Sequence, residues 1–299
     1  MNCVTSKLLL GTFIFALAAC SPVKKELPEV VVPAAGPRVN AKKIALKNKK
    51  NKMQEIPPVL GGIVQSDSWV IYPEKKEEEF KGHVSYDNGT YQFKADYALS
   101  QRAKKLFTAS GNVFLRQNEQ DGAFYQAKSD RASFNYGTQK GTLHANAKRL
   151  VDLLFQDAKK QVSTATAQKV SFDLVNKIFV LEGNVHMERQ TPEGPQTLQA
   201  QKVTFKQLEN YALLEGNAKL SDTARTLEAQ TIEYDGQNNI SSAVGERPLA
   251  YGKTEQGTFA IIADRVQSDA QGDVVHLDGK VQGWIVSPQL NDEKINSKF

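Results

Sequence analysis

From residue 66 to residue 286, apolar positions alternate with polar ones inside two short phrases that take turns along the chain. Ala167-Gln168-Lys169-Val170-Ser171-Phe172 returns as Ala200-Gln201-Lys202-Val203-Thr204-Phe205 and as Ala229-Gln230-Thr231-Ile232-Glu233-Tyr234, with weaker copies starting at Ser66, Ala95, Ser129 and Ala263. The second phrase, Leu181-Glu182-Gly183-Asn184-Val185, returns as Leu214-Glu215-Gly216-Asn217-Ala218 and Ala109-Ser110-Gly111-Asn112-Val113, with degraded forms at Phe80, Leu143, Ala243 and Leu277. Counted from the first residue of each opening phrase, the glycine position falls 16 residues later in all seven copies, Ala145 standing there in the third. A constant offset in seven copies marks one structural unit repeated in tandem.

Period two with β-branched and aromatic residues predicts strands. Turn formers such as Asp235-Gly236-Gln237-Asn238 separate the two phrases, and Asp87-Asn88-Gly89 or Pro192-Glu193-Gly194 separate units. Each unit therefore reads as a hairpin-sized pair, giving about 14 antiparallel strands in an all-β protein, and a sheet that wide has to curl, fold over or close. The glycine lies mid-strand on the apolar parity, where a missing side chain permits a bulge or a sharp bend, so a row of them predicts a fold line along the sheet. Arg149 to Lys160 escapes the pattern and reads as a short helix or an extended loop, with a possible subdivision of the repeat domain near 149–165.

The first 19 residues read differently. An apolar run from Leu8 to Ala19 follows Lys7 and ends in Leu17-Ala18-Ala19-Cys20. At 1.5 Å per residue it is too short for a bilayer core of about 30 Å, so a cleaved signal peptide is expected. The phrase resembles the lipobox of bacterial lipoproteins, which implies that Cys20 becomes the acylated N-terminus, and Ser21 after it favours the outer membrane over the inner. Several acyl chains anchor stably because each buried methylene contributes about 0.8 kcal/mol. Cleavage there removes Cys3 and leaves Cys20 as the sole mature cysteine, so neither an internal disulfide nor a Cys-based metal site is expected.

Charge separates the next segment from the rest. Residues 21–53 hold nine bases and two acids, or +7, whereas residues 54–299 hold 28 bases and 31 acids, or −3. With six prolines through residue 58 and no helical period, residues 20–60 read as a disordered basic spacer behind the lipidated Cys20. Its lysines suit either attraction to anionic headgroups, at about 1 kcal/mol per charge, or a merely solvated tether. A nucleic-acid role needs basic charge on the folded part and is excluded by the count. Residues 287–299 read as a polar tail.

Catalytic chemistry is not assembled by this pattern. His83, His144, His186 and His276 belong to four units and sit at odd offsets, on the face opposite the apolar one. Glu182, Glu215 and Asp278 share that solvated face, and no phosphate-loop, nucleophile-elbow or His-Glu-x-x-His phrase occurs. The expectation is a protein that is not an enzyme and has no metal site and no cofactor.

The apolar parity carries the function instead. Val170, Phe172, Phe179, Leu181, Val185, Met187, Val203, Phe205, Leu214, Ile232 and Tyr234 line the inside of any folded-over sheet, either as filled core or as a groove for acyl chains. The repeated Ala-Asp/Gln-x-apolar-x-aromatic phrase followed by Gly-Asn-Val resembles the OstA-like domains of the periplasmic lipopolysaccharide-transport proteins LptA and LptC, over roughly residues 66–286. That resemblance implies a twisted half-open β-jellyroll over residues 61–286 that shields lipopolysaccharide acyl chains and passes them toward the outer membrane. It also implies end-to-end joining with other transport proteins by edge-strand pairing. The lipobox, the long basic spacer and the number of repeats depart from LptA and LptC, and lipoprotein members of the LptC group are the natural home for such a chain. The alternative reading is an envelope scaffold lipoprotein that binds no lipid and docks other β-jellyroll proteins through strand edges near Trp69 and near Trp284-Ile285-Val286.

Overall fold

The computed structural model describes residues 62–286, apart from 120, 147, 192–193, 239, 255–256 and 270–273. The signal, Cys20, the basic spacer and the polar tail lie outside the described residues.

Strands account for most of it. In chain order they are β1 (Ile63–Gln65), β2 (Ser68–Tyr72), β3 (Glu77–Asp87), β4 (Tyr91–Gln101), β5 (Leu106–Asn118), β6 (Phe124–Asn135) and β7 (Lys140–His144). Then come β8 (Val151–Gln156), β9 (Val162–Ala167), β10 (Lys169–Asp173), β11 (Ile178–Thr191), β12 (Gly194–Lys206), β13 (Tyr211–Ser221) and β14 (Arg225–Asp235). The last are β15 (Ile240–Val244), β16 (Leu249–Thr254), β17 (Gly257–Ile262), β18 (Arg265–Asp269), β19 (Val275–Asp278) and β20 (Gln282–Val286). Single 3-10 turns at Arg102–Lys104 and Gln207–Glu209 are the other regular elements described.

Every pairing is antiparallel, and together they build two walls that share their long strands. The first wall runs β2-β3-β4-β5-β6-β7-β10-β11-β12-β13-β14-β15-β18-β19. The second runs β1-β3-β4-β5-β6-β8-β9-β11-β12-β13-β14-β16-β17-β20. The fourteen expected strands are thus fourteen columns: eight are single long strands, and six are interrupted where one wall passes into the other, which makes twenty segments.

The passage between walls lies at the glycine phrase, as its parity predicts. Where β11 meets β12 the register shifts between Glu182 and Val185, and where β13 meets β14 it shifts between Glu215 and Ala218. Gly183 and Asn184 both take left-handed backbone, φ 80° and 49°, and Gly216 and Asn217 repeat this at 80° and 50°. Glycine adopts that region without steric cost and asparagine tolerates it, which is why Gly-Asn recurs at the corner. A second constraint holds the glycine: a Cβ on Gly183 would stand 2.4 Å from Oε1 of Gln168, whose side chain covers the corner. The same covering residue is Asp67, Asp96, Gln201, Gln230 or Asp264 over the other corner glycines. In the third unit Ala145 replaces the glycine, and the corner opens into a connection between β7 and β8. There the Asp130 carboxylate accepts from the backbone N–H of Asn146 at 2.6 Å and from Arg149 at 3.4 Å.

Two sequence expectations change. The second strand of a unit does not end after the glycine phrase but continues into the second wall, so the hairpins alternate between the far edges of the two walls. Residues 149–160, expected as helix or loop, contain strand β8, with Val151 and Phe155 buried and Leu153 packed against the larger core. Leu154, outward on β8, hid this period of two in an almost continuous apolar run.

The two walls bury their inner faces against each other. The larger cluster joins first-wall residues such as Leu181, Val203 and Ile232 with second-wall residues such as Met187, Leu198 and Leu220. A smaller cluster of Phe80, Val84, Phe93, Ala95, Ala98, Ala109 and Val113 lies at the N-terminal columns, and half-buried Leu115 and Ala132 pack against both. Each fully buried Leu, Ile or Val contributes about 1.5–3 kcal/mol, which is what holds a chain with no described cross-link.

Candidate functional site

Reading across the columns by register sorts the inner faces into rows. Next to the fold line on the first wall, one row starts at Trp69 and Phe80 and passes Val170, Leu181, Val203, Leu214 and Ile232 to end at Leu277. It is apolar in all fourteen columns. A facing row on the second wall runs from Val64 through Phe93, Met187, Leu198 and Leu220 to Ile261 and Gly283, again with no charged side chain.

Farther from the fold line, the first wall carries a row of phenylalanines. Phe107, Phe134, Phe172, Phe179 and Phe205 follow one another by register, with Gly141 between Phe134 and Phe172. A Cβ on Gly141 would come within 2.3 Å of Phe172 Cζ, so the glycine leaves the space in which the Phe134 and Phe172 rings stack at 6.1 Å and 24°. Phe205 is buried and the other four are half-buried, which makes this row the accessible rim of the interior.

All eleven residues read from the sequence as lining fall together in or against the larger cluster. Val170, Leu181, Val185, Met187, Val203, Phe205, Leu214, Ile232 and Tyr234 are buried, Val203, Ile232 and Tyr234 completely, while Phe172 and Phe179 remain half-buried at the rim. Over β12 to β14 the walls are therefore closed on each other, and any guest reaching the deepest rows has to part them. Phe107 and Phe134 belong to the same rim and are absent from the sequence-derived set. Phe134 was legible as the aromatic that ends the opening phrase of the third copy, whereas Phe107 needed the register.

The outer faces carry paired charge. Lys169–Glu182 at 2.8 Å, Lys202–Glu215 at 2.9 Å and Lys219–Glu228 at 2.9 Å are cross-strand pairs, each contributing at most about 1 kcal/mol at such exposure. His83 is exposed and its imidazole is raised by its hydrogen bond and charge pairing with Asp67, at 2.8 Å. His144 is lowered by burial and then by the charges of Lys169 and Arg131. Among the described residues no three His, Cys, Asp or Glu side chains gather as metal ligands, and no described helix is long and apolar enough to cross a membrane.

Among the described residues, the sheet ends at β1 and β2 on one side and at β19 and β20 on the other, with apolar side chains in water. Trp69 is 53% exposed and Ile71 57% at one end, and Trp284 is 54% and Ile285 70% exposed at the other. Single apolar residues in water are ordinary, but two terminal columns rich in them are characteristic of edges that receive another strand.

A bent antiparallel sheet with a lengthwise apolar interior defines an all-β, jellyroll-like fold. Residues 63–198 match the family described as LptA/(LptD N-terminal domain) LPS transport protein. This segment, just under half of the chain, is thus similar to the OstA-like lipopolysaccharide-transport family. Among solved structures, the chain is similar to the crystal structure of LptH, the LptA homologous periplasmic component of the conserved lipopolysaccharide transport device from Pseudomonas aeruginosa. That similarity has 10% identity, covers 54% of this chain and 94% of that one, and has a TM-score of 0.26. No curated protein matches the chain.

Proposed function

We propose that this protein binds the acyl chains of lipopolysaccharide between its two apolar walls and takes part in moving it to the outer membrane. It does so from the periplasmic face of the envelope, tethered through an acylated Cys20 and the basic spacer, in the outer membrane rather than the inner. One observation carries the binding claim: the inner row next to the fold line is apolar in every one of fourteen columns, so wherever the walls part it offers acyl chains a continuous apolar surface from one end of the sheet to the other. A folded core alone does not require apolar residues out to both terminal columns, where Trp69 is half in water and Leu277 only partly covered. The match of residues 63–198 to a lipopolysaccharide-transport family supports the same cargo.

Native mass spectrometry of protein purified from lipopolysaccharide-containing membranes tests this. Recovery of bound acyl lipid is expected, lost in Phe172→Asp/Phe205→Asp and kept in His186→Ala on the outer face. Bare wild-type protein, or equal lipid in all three, would overturn it.

A second reading, a scaffold that binds no lipid, draws on the exposed terminal columns. Those edges suit β-augmentation by another jellyroll, whose added strand would pair with β1 and β2 or with β19 and β20.

A further inference from the structure

At the far edge of the first wall, six successive hairpins end in turns of one length. They are 73–76, 102–105, 136–139, 174–177, 207–210 and 236–239, the last described through Asn238. In the first five the fourth residue is left-handed, with φ between 50° and 55°. Its carbonyl oxygen accepts the backbone N–H that opens the next turn: Lys76 from Arg102, Lys105 from Tyr136, Gln139 from Leu174, Lys177 from Gln207 and Asn210 from Gly236, at 2.9 or 3.0 Å. These bonds lace the tips into one row held by the chain itself.

The row differs in chemistry from its counterpart on the second wall. Its six tips carry Lys75, Lys76, Arg102, Lys104, Lys105 and Lys177 against Glu74 and Glu209, or +4. Glu209 is taken by Lys206 at 2.9 Å, Arg102 is paired with Glu78, and Lys75 lies over the Tyr72 ring. Among the described residues Lys76, Lys104, Lys105 and Lys177 have no ion pair. The described residues of the second-wall turns at 88–90, 119–123, 157–161 and 222–224 hold four acids and two bases, or −2. Apolar exposure divides the same way. Val175 and Leu208 stand at the second position of adjacent first-wall tips, 58% and 66% exposed, and Tyr136 opens the tip before them. No exposed large apolar side chain lies in the described second-wall turns; Tyr91, which starts β4, comes closest.

We propose that the tips from 102–105 to 207–210 seat the folded part on an anionic bilayer surface. Lys104, Lys105 and Lys177 lie among phosphate-bearing headgroups, while Tyr136, Val175 and Leu208 dip toward the acyl boundary. A soluble acidic partner would account for the lysines alone; the exposed apolar positions between them favour a surface that is anionic outside and apolar beneath. The four tips span about 29 Å at about 4.8 Å per strand, and sheet twist carries the tips beyond them out of one plane. Phe107, Phe134, Phe172, Phe179 and Phe205 each lie two residues from one of these turns, so the seat sets the half-buried rim against the membrane. Transfer of lipid across that rim rests on the lipid-binding reading above; the seat itself does not.

The full chain with a dansyl amino acid at 175 or 208, or at Thr90 or Ala158 on second-wall turns, tests the seat on phosphatidylcholine vesicles with and without phosphatidylglycerol. On anionic vesicles the probe at 175 and 208 should shift to the blue and be quenched by nitroxide lipid, while at 90 and 158 it should behave as in buffer. Lys104→Glu/Lys105→Glu/Lys177→Glu should lower the vesicle affinity read at 208 about tenfold or more, and Lys159→Glu/Lys160→Glu should leave it unchanged. Vesicle binding with no response at 175 and 208 would show that an acyl anchor or the basic spacer holds the chain alone, and would overturn the seat. Equal responses at all four positions would overturn it too. Glycerophosphoglycerol, the headgroup without its chains, should give no shift; the same shift without lipid would overturn the seat in favour of a soluble anion. Tips that respond in a chain from which no bound acyl lipid is recovered would overturn the groove alone.

Discussion

In all seven units the second position of the opening phrase is Asp or Gln: Asp67, Asp96, Asp130, Gln168, Gln201, Gln230 and Asp264. Six of them lie over the corner glycine of their own unit, and the seventh, Asp130, caps the opened corner instead. Gly183→Ala combines a side chain at φ 80° with a contact of 2.4 Å to Gln168, and should cost about 1–3 kcal/mol in urea unfolding. Gly283→Ala, whose Cβ makes only ordinary contacts with Ile261 Cγ1 at 3.8 Å and the Ala260 carbonyl oxygen at 3.9 Å, should stay within about 0.5 kcal/mol. Equal costs would mean that the corners do not depend on the glycine.

The hairpin turns rest on carboxylates as well. Asp173 accepts from the backbone N–H groups of Val175 and Asn176, from the Asn176 amide and from Lys140, and these bonds, the backbone one from Asn176 first, pull its carboxyl from 3.8 to about 2. A carboxyl lowered on folding stabilises above its ordinary value and loses that contribution as pH falls through the folded value. Asp173→Asn should therefore be less stable than wild type at pH 6, with the gap closing between about pH 4 and about pH 2. A gap that is constant across that window would show that the charge is irrelevant to the turn.

At the scale of elements, alternation made the strands, their number and the fold line readable, because a half-buried strand writes its buried face at every second position. The hidden part was continuity. Whether a chain ends after Gly-Asn or turns a corner and goes on depends on partners in other units, and β11 owes its full length to β9 and β10 on one side and β12 on the other. For the same reason Phe172, Phe179 and Phe205 were readable as inward while their row with Phe107 and Phe134 was not. The terminal columns follow a separate logic of unpaired edges. Ile71→Lys together with Ile285→Lys places charge on both exposed edges, and should abolish end-to-end association in sedimentation velocity with unchanged far-UV circular dichroism. Association that survives both substitutions would remove the edges from any docking role.

For the whole molecule, the repeats produce two walls hinged along one line, and burial increases from the rim toward that line. The core of β12 to β14 is closed, so the proposed cargo would have to compete with wall-to-wall packing, and the half-buried phenylalanine rim is where that competition would start. The most direct measurement is site-specific photo-crosslinking to lipopolysaccharide with benzoylphenylalanine placed at neighbouring residues of one strand. Phe205 faces inward and Thr204 outward on β12, and Phe172 and Ser171 repeat the contrast on β10. Crosslinks at 172 and 205 with none at 171 and 204 are the expected result; equal labelling at all four positions, or labelling confined to 171 and 204, would contradict a lipid path between the walls.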